Sequence, residues 1–180
     1  NWTQWIEKHG EKLEMPQIVI NEYAEMKDCG VPGSLVNWIA RLEDEKIYGC
    51  LPFWQQANNL NGLTSDANEG AGAWWVYKWY GDMSGKTLQV QTSTNYDRLY
   101  GVASIDDKKQ SASVLMGGED GTQKLLLKDI KGTEIFKNEG RVHISVQKAS
   151  YNGYAGTVSE VPTILEGDFP IAEDLSLIHI

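Results

Sequence analysis

The chain has 180 residues, of which 41% are hydrophobic and 23% charged, a mixture typical of an ordinary folded protein. Its formal net charge is −9 and its acidic residues are scattered, so a nucleic acid backbone or an anionic membrane would be repelled. Every apolar run is far shorter than the roughly 20 residues that cross a bilayer. Neither nucleic acid nor a membrane is therefore an expected partner.

The first elements are predicted from the spacing of apolar residues. Tryptophans and an isoleucine recur at helical spacing before Gly10, which predicts the end of an amphipathic helix. Residues 17–20 form a β-branched run without alternation, as expected for a strand of a parallel sheet that is buried on both faces. Asn21, Glu22 and Tyr23 follow at the carboxyl end of this strand.

A helix, a second strand and a second helix are predicted next. Ser34 is placed to cap a helix over residues 35–42. Residues 48–54 predict another buried strand, and the polar residues 55–68 predict a long loop of the functional type. Residues 69–83 have helical spacing. This alternation of strands and helices is typical of a parallel α/β fold.

The pattern changes after Gly81. Short alternating runs separated by turn residues predict strands at 88–90, 99–105, 111–116, 124–130, 142–147 and 161–165. Such a series indicates an antiparallel β-sandwich.

We therefore predict two units, an α/β part over residues 1–84 and a β-sandwich over residues 85–173. A complete (β/α)₈ barrel (TIM barrel) takes roughly 250 residues, so the first unit is expected to be the last two βα units of such a barrel. The absence of an initial Met likewise predicts missing upstream sequence. Residues 174–180 are expected to be a non-native tail, of the kind left by read-through of adapter sequence.

The remaining residue types assign little chemistry by themselves. Cys29 and Cys50 are expected at opposite ends of the α/β unit, which predicts free thiols and leaves the compartment open. The protein could be cytoplasmic or secreted by a bacterium. His143 lies in a predicted strand without a nucleophile or metal-ligand partner, so no catalytic role is assigned to it. No metal site and no cofactor are expected.

Three segments resemble the end of a clan A glycoside hydrolase, closest to the β-xylosidase-like family 39. They read IVINEY at residues 18–23, GCLPFW at residues 49–54 and GAWWVYKWY at residues 72–80. The resemblance covers nearly all of the chain before about residue 90 and the rest more loosely. It implies a retaining enzyme that acts on plant-wall carbohydrates, such as xylosides or arabinosides.

The resemblance also implies roles for residues at the two strand ends. Glu22 would be the nucleophile and Trp54 the aromatic floor of the sugar subsite. The acid/base residue would lie on a fourth strand that this chain lacks, so the chain alone is expected to be inactive. The residues expected to bind substrate are Asn21, Tyr23, Trp54, Gln55 and Asn58.

Two alternatives stay open at the level of sequence. The chain could be a non-catalytic carbohydrate-binding module, which would need tyrosines aligned on one face of the sandwich, drawn from Tyr96, Tyr100, Tyr151 and Tyr154. It could also be a structural module that stabilises a barrel. Trp54 could equally be a buried packing residue. The tryptophans of residues 74–79 are expected to pack in the core, since aromatics that recur on a helix usually do so.

Overall fold

The computed structural model describes residues 4, 7–8, 17–52, 60, 62–65, 67–92, 99–118, 121–137, 139–153, 156–171 and 175–178. Of the predicted first helix it describes Gln4, Glu7 and Lys8, all of which are helical. No helix in these ranges is long and apolar enough to cross a membrane.

The chain folds first into a strand, a helix and a parallel strand. Strand β1 (Val19–Tyr23) is followed by helix α1 (Pro32–Asp44) and strand β2 (Tyr48–Pro52). The two strands pair in parallel, from Val19 opposite Tyr48 to Tyr23 opposite Pro52. A parallel pair needs a crossover connection, and α1 supplies it. The predicted order of these elements is confirmed.

Helix α1 begins earlier than predicted. Val31 is its N-cap and Pro32 its first residue, so Ser34 lies inside the first turn and the predicted cap is wrong. Proline suits the first helical position because its φ is already helical and its missing N–H would have no partner there. After the helix, Lys46 takes a left-handed φ of 53°, which ends the helical path.

Strands β1 and β2 are not buried on both faces, contrary to the sequence prediction. Val19 is 49% exposed and Tyr48 is 60% exposed. Within the described residues each of the two strands pairs only with the other, so their outer edges are uncovered. Burial of a parallel strand requires neighbouring strands and helices on both sides.

Helix α2 spans Gly72–Asp82, within the predicted range, and buries Ala73 and Val76. Before it, Thr64 and Gly70 form an isolated antiparallel bridge in the part of the predicted loop that the structure describes. The helix is therefore confirmed, with a start three residues later than predicted.

The later strands are all antiparallel in the described chain. β3 (Lys86–Leu88), β4 (Leu99–Asp106) and β5 (Ser111–Gly118) form one sheet in that order. The other strands pair two by two, and they are β6 (Lys124–Leu127) with β9 (Leu175–Ile178), and β7 (Arg141–Gln147) with β8 (Thr163–Pro170). Each of the six predicted runs overlaps one observed strand. The packing of these sheets as a sandwich stays a prediction.

Two of these segments differ in detail from the sequence prediction. The run at residues 124–130 leaves the strand after Leu127 and ends in a 3₁₀ turn at Ile130–Gly132. Leu175–Ile178, within the predicted non-native tail, pairs with β6 as β9. Their pairing is observed, whereas their origin stays a prediction.

One hydrophobic core joins α1, α2 and the β3–β4–β5 sheet. Leu35, Val36 and Ile39 of α1 belong to this core together with Tyr100 and Leu115 of the sheet. Burying aliphatic side chains of this size stabilises the fold by about 1.5–3 kcal/mol each. Residues on both sides of the predicted boundary between residues 84 and 85 contribute to this core, and the boundary itself stays a prediction.

Candidate active site

Glu22 lies at the carboxyl end of β1, one residue before the strand ends, and its side chain is exposed. In the parallel ladder Glu22 is opposite Leu51, and Tyr23 is opposite Pro52. The carboxyl ends of both strands therefore meet at one edge of the sheet. In barrel enzymes this edge carries the catalytic groups.

The other predicted site residues are placed unequally. Asn21 is exposed next to Glu22, whereas Tyr23 is only 7% exposed. Tyr23 therefore lies behind the strand end, in the packed part of the fold. The remaining predicted substrate contacts, Trp54, Gln55 and Asn58, lie outside the described residues, and their roles stay predictions.

The chain turns sharply directly after the candidate nucleophile. Ala24 has a φ of 70°, in the left-handed region that costs a non-glycine residue roughly 1–2 kcal/mol. Asp28 then accepts hydrogen bonds from the Trp38 indole (2.9 Å) and the Glu25 backbone N–H (3.3 Å). Glu25 pairs with Lys27 at 2.9 Å. Asp28 is half-buried, and its carboxylate is held by the Trp38 indole.

Tyr23 connects the end of β1 to α2 through a hydroxyl pair. The Tyr23 and Tyr77 hydroxyl oxygens are 2.6 Å apart, so one hydroxyl donates to the other. The Tyr23 ring lies 6.3 Å from that of Trp38, and a Cβ on Gly49 would come within 3.0 Å of it. Burial raises the pKa of both phenols, so both stay protonated at neutral pH.

Two further tyrosines hold the acidic end of α1. Tyr80 donates its hydroxyl hydrogen to Glu43, and Tyr100 donates to Asp44. Carboxylates are disfavoured at a helix C-terminus by the negative end of the dipole, and these donors offset that cost. Burial, and then the bond to Glu43, raise the pKa of Tyr80. Because Tyr100 is buried, its ring is not available on an exposed sugar-binding face.

The tryptophans of α2 pack mainly against one another and a distant loop. The Trp75 indole donates to the Val158 carbonyl at 2.7 Å, and its ring lies 4.9 Å from Trp74 and 6.0 Å from Trp79. The packing role is confirmed for Trp75 and Trp79, which are half-buried. Trp74 is 38% exposed and lies at the margin of the cluster.

His143 has carboxylate partners that sequence reasoning missed. Its Nδ1 lies 2.9 Å from Asp168 Oδ1, and its Nε2 lies 3.6 Å from Glu166 Oε1 on the paired strand. The bond to Asp168 is the main cause of a raised His143 pKa. Polar residues at alternate positions in both strands were the available signal. Across the described residues, no three His, Cys, Asp or Glu side chains are grouped to hold a metal ion.

The two cysteines form no disulfide. Cys29 is buried after β1 and Cys50 is exposed in β2. The prediction of free thiols is confirmed. Burial raises the pKa of Cys29, with a smaller contribution from Asp28, so this thiol is a poor nucleophile at neutral pH.

Sequence comparison finds no matching family model but identifies two enzymes with similar segments. A 3-O-α-D-galactosyl-α-L-arabinofuranosidase of Bifidobacterium longum subsp. longum is 40% identical over 111 residues, 60% of this chain. A 3-O-β-L-arabinopyranosyl-α-L-arabinofuranosidase of Bifidobacterium pseudocatenulatum is 41% identical over 103 residues, 55% of this chain. Each match spans 10% of the curated relative's own length.

The fold also has a solved counterpart. A structure titled N2152 from Neocallimastix frontalis superposes with a TM-score of 0.83 and 26% sequence identity. The superposition covers 98% of this chain and 44% of that one. The chain is therefore related in sequence to a segment of two glycoside hydrolases, and its fold occurs within a longer protein.

Proposed function

We propose that this chain is part of a retaining glycoside hydrolase that cleaves arabinofuranosides or xylosides of plant-wall carbohydrates, with Glu22 as the nucleophile. The observation that carries the proposal is the exposed Glu22 carboxylate at the shared carboxyl edge of two parallel strands. The similarity to two arabinofuranosidases supports the reaction class and favours an arabinofuranoside.

The proposed chemistry follows from the charge of the transition state. The Glu22 carboxylate attacks the anomeric carbon while the glycosidic C–O bond breaks, and a second carboxylic acid protonates the leaving oxygen. Water then hydrolyses the glycosyl ester, which releases the sugar and restores the carboxylate. The oxocarbenium character of both transition states is stabilised by a negative charge at this position.

The acid/base residue has to come from elsewhere. Retaining enzymes keep the two carboxyl groups about 5–5.5 Å apart. Of the described acids that follow Glu22, Asp28 is bound by Trp38 and Glu25 pairs with Lys27. We infer that a strand of a longer polypeptide provides the acid, which agrees with matches that span a tenth of the relatives.

The proposed architecture is the last two βα units of a (β/α)₈ barrel over residues 1–84, followed by a β-sandwich. The parallel β1–α1–β2 unit and the antiparallel pairs after it support this assignment. Resemblance to family 39 of clan A is part of the same proposal. The alternative of a sugar-binding module has less support, because Tyr100, one of its four candidate aromatics, is buried. Tyr151 is exposed, and Tyr96 and Tyr154 lie outside the described residues.

The test uses the complete open reading frame that contains this chain, assayed on aryl α-L-arabinofuranosides and β-xylosides. Glu22→Ala should lower kcat by roughly 10⁴-fold, because it removes the nucleophile. Added azide should restore turnover and yield a glycosyl azide of inverted configuration. Glu25→Ala is the matched control and should keep its activity. Full activity in Glu22→Ala would refute the assignment.

A further inference from the structure

We propose that Tyr77 is a positioning residue for the Glu22 carboxylate and acts through Tyr23. This inference rests on the proposed function of Glu22. It assigns a role in the site to helix α2, which contributes no residue to the catalytic set implied by the sequence.

The hydroxyl pair is a direct link between α2 and the end of β1. Tyr23 is the next residue after Glu22, and its hydroxyl oxygen lies 2.6 Å from that of Tyr77. The two residues are 54 positions apart in the chain. The bond therefore ties the strand end to an element far away in sequence, so local chain geometry does not replace it.

The Tyr23 ring is held on its other sides as well. Trp38 of α1 lies 6.3 Å away between ring centroids, and its indole is fixed by Asp28 at 2.9 Å. Any side chain larger than glycine at position 49 would meet the Tyr23 ring or Leu42. The ring of Tyr23 is therefore packed against Trp38 and the backbone at position 49, and the hydrogen bond to Tyr77 holds its hydroxyl.

The backbone around Glu22 makes this anchor useful. The strand is held by its ladder with β2 as far as Tyr23, and the chain then departs at Ala24 with a left-handed φ of 70°. A strained residue persists only when its surroundings hold it in place. Tyr23 is the last paired residue of the ladder and directly precedes this turn, so loss of its anchor should let the strand end shift and carry Glu22 with it.

The reaction rate depends strongly on the exact position of the nucleophile. A nucleophile displaced by about 1 Å from its productive position can lose two orders of magnitude in rate. Because burial raises the pKa of both phenols, the hydroxyl pair is neutral at neutral pH. It can therefore hold geometry without adding a charge close to the carboxylate.

The first experiment compares Tyr77→Phe with Tyr80→Phe in the complete enzyme. Each change removes one hydrogen-bonding hydroxyl from the same helix, but Tyr80 bonds Glu43 at the end of α1. We expect Tyr77→Phe to lower kcat by about tenfold with little change in KM, and Tyr80→Phe to keep kcat. Equal kcat in both variants would overturn the proposal.

A double variant separates positioning from stability. Tyr77→Phe alone leaves the Tyr23 hydroxyl buried without its partner, whereas Tyr23→Phe with Tyr77→Phe removes both polar groups and should recover stability. Positioning predicts that kcat stays low in the double variant. Recovery of kcat together with the melting temperature would show a purely structural role and sink the inference.

A third measurement uses the complete enzyme and needs no activity. Hydrogen exchange of the peptide that contains residues 20–24 should be faster in Tyr77→Phe than in Tyr80→Phe. Unchanged exchange would refute the anchor, whatever the outcome for Glu22. If exchange is faster in Tyr77→Phe but the Glu22→Ala variant is fully active, the anchor is supported and the assignment of Glu22 as nucleophile is wrong.

Discussion

Single polar residues in this protein gain their partners across long sequence distances. His143 is flanked by Asp168 and Glu166 on the neighbouring strand. Tyr23 of β1 forms a hydrogen bond with Tyr77 of α2. No local pattern predicts which phenol a buried phenol will meet, because the meeting is set by how a helix packs on a strand. Glu22 is different, since its position at a strand end is visible in the chain order.

The His143 pair gives a prediction at this scale. Asp168→Asn should lower the pKa of His143 towards its ordinary value of 6.5, because the main favourable partner of the imidazolium is removed. Glu166→Gln should lower it less, since that carboxylate is 3.6 Å away instead of 2.9 Å. NMR titration of the imidazole measures both shifts. A larger effect of Glu166→Gln would contradict this geometry.

The raised pKa of His143 also fixes the sign of a pH effect. Its contribution to folding is fully present below pH 6.5 and is lost as the pH rises through the folded pKa. In Asp168→Asn this loss above pH 6.5 should shrink. Urea unfolding at pH 5.5 and pH 8 tests the difference. Because all three side chains are exposed, the effect should be small.

At the scale of elements, helix α1 lies unusually close to β5. A Cβ on Gly33 would lie 2.5 Å from the Gly118 carbonyl oxygen, and one on Gly117 would lie 2.9 Å from the Gly33 Cα. Backbone packs against backbone here, so neither partner can move aside as a side chain would. Three glycines thus allow the close contact between the parallel unit and the antiparallel sheet.

We predict opposite effects for two helical Gly→Ala changes. Gly33→Ala should destabilise the chain by about 1–3 kcal/mol through overpacking. Gly81→Ala in α2 should stabilise it by up to about 1 kcal/mol, since a Cβ there meets nothing within 4 Å and alanine favours the helix. Urea or thermal unfolding compares them. Equal changes in both variants would argue against the close contact.

The sequence predicted correctly which segments are helices and which are strands, but it predicted wrongly that β1 and β2 are buried on both faces. Apolar spacing indicated β1, α1, β2 and α2, because period and turn residues act locally. The same runs suggested strands covered on both faces, yet Val19 and Tyr48 are half-exposed or more. Hydrophobic side chains indicate that a strand face is stable when it is buried. They do not indicate whether the residues that bury it belong to the same 180-residue segment.

At the scale of the whole molecule, three tyrosines with raised pKa values predict that stability falls at alkaline pH. Tyr23, Tyr77 and Tyr80 have raised pKa values when folded, against an ordinary value of 10.0. Their contribution to stability is full below pH 10 and is lost as the pH rises further, because the unfolded phenols ionise first. Thermal melts between pH 8 and 11 should fall above pH 10. Tyr77→Phe should flatten this fall, and Tyr151→Phe, at an exposed ring, is the matched control.

The uncovered sheet predicts self-association of the isolated chain. Val19 and Tyr48 are about half-exposed or more on strands whose described pairing is limited to each other, and Ile18, directly before β1, is 51% exposed. Free edges with apolar side chains pair readily with other chains, and a lysine on an edge opposes this. Val19→Lys should therefore lower the sedimentation-average mass. Unchanged mass, or a monomeric parent chain, would refute this expectation.

The sequence by itself determined the order of strands and helices, the free thiols, and the place of Glu22 at the end of β1, since all depend on local periodicity and chain order. Tertiary structure alone decided that Tyr23 is buried against Tyr77, that His143 sits between two carboxylates, and that α1 approaches β5 through glycines. These features depend on distances between segments far apart in the chain. Such distances are set by the packing of the whole core, which no single stretch of residues encodes.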